Sequence, residues 1–251
     1  MKAAGYNPAE VKVVPDVAAL NAAAAGEFCR CAETAIAARG RFCVALAGGN
    51  TPRGVYSLLA EEKKDSLQWE KIYIFFGDER CVPPDHPDSN YRMAYESLLS
   101  KVPISPENVF RVHAELPPEV AAAEYDRQLR AFFRLADHAW PAYDLILLGI
   151  GEEGHTASLF PGTTALAEQS RLVVANWVEK FRTYRITFTY PVLNHAEEVL
   201  FLAAGQSKAQ ILRDIFDPAK KGTYPAQAVQ PKDGRLLWIA DRDAASLLGL
   251  A

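Results

Sequence analysis

Six consecutive residues, Phe42-Cys43-Val44-Ala45-Leu46-Ala47, carry no polar side chain. Successive residues of a strand point to opposite faces, so an apolar run without alternation belongs to a strand covered on both sides. That requirement places the run inside a parallel sheet with helices above and below. The rest of the chain supplies them. Val11-Lys12-Val13-Val14 reads as a first strand, and a helix follows over Val17–Arg39, with Phe28, Cys31, Ala32, Ala35 and Ile36 at helical spacing. Gly26 weakens that helix and Gly40 ends it. Thr51 as N-cap, with Pro52 at the first helical position, starts another. Ile72–Phe76 is the next strand, then a Pro- and Asp-rich loop over Val82–Ser89 and a helix around Tyr91–Leu99. Tyr125, Leu129, Phe132, Phe133 and Ala136 mark one helix face. Further strands are expected at Leu145–Leu148, Leu172–Ala175, Arg185–Phe188, Val199–Ala203 and Leu236–Ala240, with a helix at Ala209–Phe216. The alternation implies a single α/β domain over residues 1–251. It is Rossmann-like: a mostly parallel sheet flanked by helices on both faces, with room for a small subsidiary lobe.

The formal net charge of −4 argues against a global polyanion binder, so no nucleic-acid partner is expected and any phosphate affinity must be local. Cys29, Cys31, Cys43 and Cys81 show no paired Cys/His ligand spacing. They read as reduced thiols, and no metal is expected. The N-terminal MKAAGYNPAEVKVV has no apolar h-region, and no run approaches bilayer length. A cytoplasmic protein with no membrane partner, monomeric or weakly homo-oligomeric, is the expectation.

Gly149-Ile150-Gly151-Glu152-Glu153-Gly154 satisfies G-x-G-x-x-G directly after an apolar run. It fails the demands of a dinucleotide fingerprint. Pro161-Gly162 cuts off the helix that should hold the pyrophosphate. Glu152 and Glu153 put two carboxylates where an anion would lie, and the next strand run is followed by Asn176 and Trp177 instead of ending in an acidic residue. What remains is a glycine-rich turn that delivers His155 to the ligand-binding edge of the sheet.

Three strand-end loops therefore carry the candidate chemistry. Gly48-Gly49-Asn50-Thr51-Pro52-Arg53 joins a buried strand to a helix whose free N–H groups attract anions, and it lacks the G-K-[ST] of a Walker A loop. Gly77-Asp78-Glu79-Arg80 follows an aromatic strand; Arg80 offers a planar fork for phosphate, and Asp78 could orient it or hold sugar hydroxyls. The third loop holds His155, the one histidine of five that follows a glycine-rich turn at a strand end, with a side chain suited to proton transfer near neutrality. A short helix start beside it would supply N–H groups to an oxyanion. The cluster Lys180-Phe181-Arg182-Thr183-Tyr184-Arg185 and Lys208 at a strand-to-helix junction add local positive charge. Together these residues point to a phosphorylated small molecule and histidine proton chemistry.

LILLGIG followed by GHTASLFPG resembles the pattern of 6-phosphogluconolactonases. LAGGNTPRGVY, FFGDERCVPPDHPDSNYRMAYESLL, RITFTYPVLNHAEEVLFLAAGQSKA, YPAQAVQP and LLWIADRDAA resemble further blocks of that family in the same order, over nearly the whole chain. Glucosamine-6-phosphate deaminases are relatives whose motif reads more like GHIAFNEPG. The resemblance implies hydrolysis of 6-phospho-D-glucono-1,5-lactone without a cofactor. In this reading His155 activates the water. Gly48, Gly49, Thr51 and Gly154 line the site, and Arg80, Lys180 and Arg185 bind the phosphate or developing charge. A deaminase-like enzyme and a non-catalytic sugar-phosphate sensor are the alternatives. Two departures stand out: Glu153 where the family commonly has Asp, and FRTY after Lys180 where it often has a Pro-rich turn.

Overall fold

The computed structural model describes residues 9–249. Residues 1–8, which bear on the expected absence of a leader, lie outside the described residues. Among the described residues nine strands form two sheets: β1 Glu10–Val14, β2 Phe42–Leu46, β3 Ile72–Phe76, β4 Asp78–Arg80, β5 Leu145–Gly149, β6 Val173–Val178, β7 Thr183–Phe188, β8 Glu198–Ala203 and β9 Arg235–Asp241. Six of them pair in the order β1-β9-β8-β5-β2-β3, all parallel. The α-helices of the described residues are α1 Val17–Arg39, α2 Asn50–Glu62, α3 Asn90–Ala94, α4 Pro118–Phe133, α5 Tyr190–Leu193 and α6 Ala209–Phe216.

Ring contacts show that both faces of the sheet are covered. Phe28 of α1 meets Phe42, whose register partner on β3 is Ile72. Phe132 of α4 meets Tyr73 and Phe75, the alternate residues of the same strand. Period-2 alternation therefore puts α1 and α4 on opposite sides. β2, β5 and β8 are accordingly almost wholly buried and, apart from Glu198 at the start of β8, apolar. The strand order reverses between β2 and β5, so their following loops diverge and leave a crevice beyond the strand ends. Glycine loops 48–49 and 149–154 stand at that reversal.

β4, β7 and β6 form the subsidiary lobe, a three-stranded antiparallel sheet. The expectation of a loop at Asp78-Glu79-Arg80 and of parallel strands at 172–175 and 185–188 is corrected here. Gly77 sits between β3 and β4, its N–H bonded to the Leu46 carbonyl and its carbonyl to the Phe188 N–H, so the chain leaves one sheet and enters the other. Tyr125 and Tyr143 pack against Phe188 and join the small sheet to the main core.

The start of α2 also differs from expectation. Gly49, at φ 103°, is the N-cap, and Thr51 lies inside the first turn with no capping role. The left-handed glycine starts the helix at Asn50, so Pro52 falls not at the first but at the third helical position, where its missing N–H is still harmless. Ala136 lies beyond the end of α4 and is exposed.

Tyr56 of α2 fixes the strand-to-helix junction. Its hydroxyl accepts from the Ala47 N–H at 3.0 Å and donates to the Ala47 carbonyl at 2.8 Å, all buried. Tyr56→Phe leaves both backbone groups unpaired. Denaturant unfolding should register a loss of about 1–3 kcal/mol, with an unchanged slope.

Candidate active site

The glycine turn after β5 is built around the imidazole. The Gly151 N–H bonds the His155 carbonyl at 2.9 Å and the Gly154 N–H bonds the Gly151 carbonyl at 2.9 Å, closing a tight loop. A Cβ on Gly151 would stand 2.0 Å from His155 Cε1 and Nδ1. Gly154 has φ +76°, and a Cβ there would stand 2.5 Å from the Tyr224 ring. Tyr224 is held in turn by its hydroxyl on Asp214, 3.0 Å away, a carboxylate that also takes Lys220 at 2.7 Å. No helix follows His155: residues 156–162 form turns with one bridge between Thr156 and Leu159. The expected N–H donors of a short helix start are therefore absent at that place. The chain has too few residues before Pro161 to close helical turns.

His155 stacks on Phe160 at 4.0 Å between ring centroids. Its Nδ1 lies 3.2 Å from Glu153 Oε2. The approach is off the ring N–H axis, and Nδ1 is buried without a hydrogen-bond partner. Burial lowers the imidazole pKa below its ordinary 6.5, with Glu153 and Asp78 opposing that fall and Lys208 reinforcing it. The ring is therefore neutral near pH 7 and able to accept a proton. Lys208 itself stands at the N-cap of α6.

Asp78 is the junction of the surrounding loops. Its Oδ2 accepts from Ser158 Oγ at 2.7 Å and its Oδ1 from Asn90 Nδ2 at 3.2 Å. The Ser158 N–H also bonds Thr187 Oγ1 at 3.2 Å. Asn90 fills the space over Gly48, where a Cβ would meet its Oδ1 at 1.8 Å. Glu79 is wholly occupied by Ser89 Oγ and the backbone N–H groups of Arg80, Asn90 and Tyr91. Neither carboxylate orients the Arg80 guanidinium, contrary to one reading of the D-E-R run; Arg80 Nη1 donates to the Asp88 carbonyl.

Arg80 and Arg185 are direct partners across β4 and β7, and Asn176 partners Arg185 across β6 and β7, so the three share a face. Arg80 Nε, Arg185 Nε and Asn176 Oδ1 are buried without partners. Burial and the neighbouring Arg80 charge both lower the Arg185 pKa. Two like charges side by side with idle donors form a place for an anion. Arg185 also lies over the Phe181 ring at 5.3 Å, and Phe181 meets Phe160 at 5.8 Å, which connects the arginines to the His155 stack.

The predicted residues thus fall into three groups. Asp78, Arg80 and Arg185 share the antiparallel lobe; His155 and Gly154 share the β5 loop, and Lys180 reaches that loop through Glu153 at 2.7 Å. Gly48, Gly49 and Thr51 stand at the uncapped N-terminus of α2. Asn90, Ser158, Asn176 and Thr187 escaped the sequence reading as site residues. Only the Ser89-Asn90-Tyr91 run inside the second resembling block hinted at one of them, Asn90. Among the described residues no group of three or more His, Cys, Asp or Glu gathers to hold a metal, and no helix is long and apolar enough to cross a membrane.

A family model described as glucosamine-6-phosphate isomerases/6-phosphogluconolactonase matches residues 15–238. A Nostoc sp. protein named 6-phosphogluconolactonase is 43% identical over 242 residues, covering 96% of this chain and 98% of that one. A Synechocystis sp. protein of the same name is 46% identical over 216 residues, 85% of this chain and 88% of its own. The solved 6-phosphogluconolactonase from Trypanosoma cruzi superposes with a TM-score of 0.87 at 28% identity, covering 98% of each chain.

Gly151→Ala should displace the imidazole without unfolding the chain, because the clash is with one side chain at a turn. Proton NMR would show the His155 ring signals shifted while the far-ultraviolet circular dichroism stays unchanged.

Proposed function

Since the chain belongs to the glucosamine-6-phosphate isomerases/6-phosphogluconolactonase family, we propose that it hydrolyses 6-phospho-D-glucono-1,5-lactone to 6-phosphogluconate. The observation that carries this reading is a neutral, half-buried His155 joined by an aromatic stack to two arginines with idle buried donors. A lactone is an activated ester, so a base and a positive environment suffice, with no covalent nucleophile. Ser158 is not set up as one: its buried hydroxyl donates to Asp78 and makes no hydrogen bond to His155.

In the proposed reaction Arg80 and Arg185 take the phosphate. His155 accepts a proton from water as its oxygen attacks C1. The carbonyl electrons move onto oxygen, where N–H groups at the start of α2 and the charge of Lys208 favour the oxyanion. When the carbonyl re-forms, the C1–O5 bond breaks and the imidazolium returns its proton to O5. Glu153 stabilises the transient imidazolium from the Nδ1 side.

His155→Ala should lower kcat at least about 100-fold over the catalysed rate on freshly generated lactone, with the fold intact. Wild-type turnover in that variant would remove His155 as the base. In the wild type, kcat/KM should rise with pH as His155 loses its proton. The midpoint should lie below 6.5, because burial disfavours the charged ring. Arg185→Met should raise KM about tenfold or more, the loss of a charged hydrogen bond, with a smaller effect on kcat. Ammonia release from glucosamine 6-phosphate would favour the deaminase reading instead.

A further inference from the structure

One carboxylate near the base is shared between two partners. Glu153 Oε1 accepts from Lys180 Nζ at 2.7 Å, and Oε2 stands 3.2 Å from His155 Nδ1 without lining up on its N–H axis. Lys180 comes from the turn at residues 179–181, between β6 and β7, so the partner that draws Glu153 aside belongs to the subsidiary lobe. Its ammonium also lies 5.4 Å from the Phe181 ring, part of the aromatic chain that ends on His155. Glu153, one departure from the family pattern, thus pairs with the residue just before the other, FRTY. The extra methylene of Glu relative to Asp lengthens the arm that spans both partners.

We propose that Lys180 is a positioning residue: by holding one oxygen of Glu153, it sets how strongly the other engages His155. Lys180 is then not a phosphate ligand. The proposal rests on His155 being the base of lactone hydrolysis.

The charges that act on the imidazole are Glu153 on its own loop, Asp78 on β4 and Lys208 before α6. Burial tends to raise the Glu153 pKa, but the Lys180 hydrogen bond and the His155 and Lys180 charges outweigh it and leave it at about 2. Glu153 is therefore a full anion throughout the working range, and the open variable is its alignment. With Lys180 in place the carboxylate is drawn off the Nδ1 axis, which keeps the ring from being trapped as a cation. Without Lys180 the carboxylate is free to align, and the imidazolium gains stability. The Lys180 side chain is 62% exposed, so its ion pair adds little to folding stability and can be removed without unfolding the chain.

The test compares wild type, Lys180→Met, Lys180→Arg, Glu153→Gln and the Glu153→Gln/Lys180→Met pair in the full chain. Two readouts are taken: the acid limb of kcat/KM on freshly generated 6-phosphogluconolactone, and the titration of the His155 imidazole by NMR without substrate. Lys180→Met should move both midpoints up by about half a pH unit. Lys180→Arg should restore the wild-type values, and the Lys180→Met shift should vanish in the Glu153→Gln background. Unmoved midpoints with KM raised equally at every pH would overturn the proposal and make Lys180 a substrate ligand. A shift that persists without Glu153 would overturn it as well. An NMR shift of the expected sign in a chain with no lactone turnover would support the coupling and defeat the lactonase reading alone.

Discussion

The buried carboxylate of Asp78 joins parts of the chain that have no local reason to meet. It receives Ser158 from the loop after β5 and Asn90 from the start of α3, while its own backbone begins β4. Asn90 in turn lies against Gly48 after β2. The loops that surround the crevice at the strand-order reversal are therefore bonded to one another through a single side chain. A buried ionised group is costly unless its lone pairs are filled, and here the donors come from two different loops. The same need that satisfies the carboxylate fixes where the His155 loop sits relative to Arg80 and Arg185.

Glycine and aromatic residues divide the remaining work. Gly151 leaves room for the imidazole and Gly154 supplies a left-handed turn under Tyr224, so the ring is placed by absent side chains. Phe160 covers the ring from one face, and the resulting desolvation keeps it neutral. The arginines are treated the other way: their charge is kept, half-buried and beside a like charge, which leaves the pair short of an anion.

Much of this was legible in the residues. Phe42–Leu46 and Leu145–Leu148 announce interior parallel strands because continuous apolar runs need cover on both faces. His155 stood out because a glycine turn at a strand end has few other uses. The failure of the dinucleotide fingerprint was also legible, since Pro161 forbids the helix that it needs. The antiparallel lobe was not. Asp78-Glu79-Arg80 reads as a strand-end loop because it directly follows an aromatic strand, and its partner β7 lies more than a hundred positions along the chain. The start of α2 was misplaced because Thr51 is a good cap in isolation, whereas the backbone angle of Gly49 decides the boundary.

The sequence by itself determined the layered α/β class, the strand ends where chemistry can sit and the imidazole that stands at one of them, because these follow from periodicity, turn residues and side-chain chemistry. Only the tertiary structure decided which partners each charged residue meets. Asp78, expected to serve Arg80 or a sugar, bonds Ser158 and Asn90. Lys180, expected at the phosphate, pairs with Glu153, 27 residues away. A charge takes its role from the partners within about a hydrogen bond's reach, and those are set by which strands and loops the fold brings side by side.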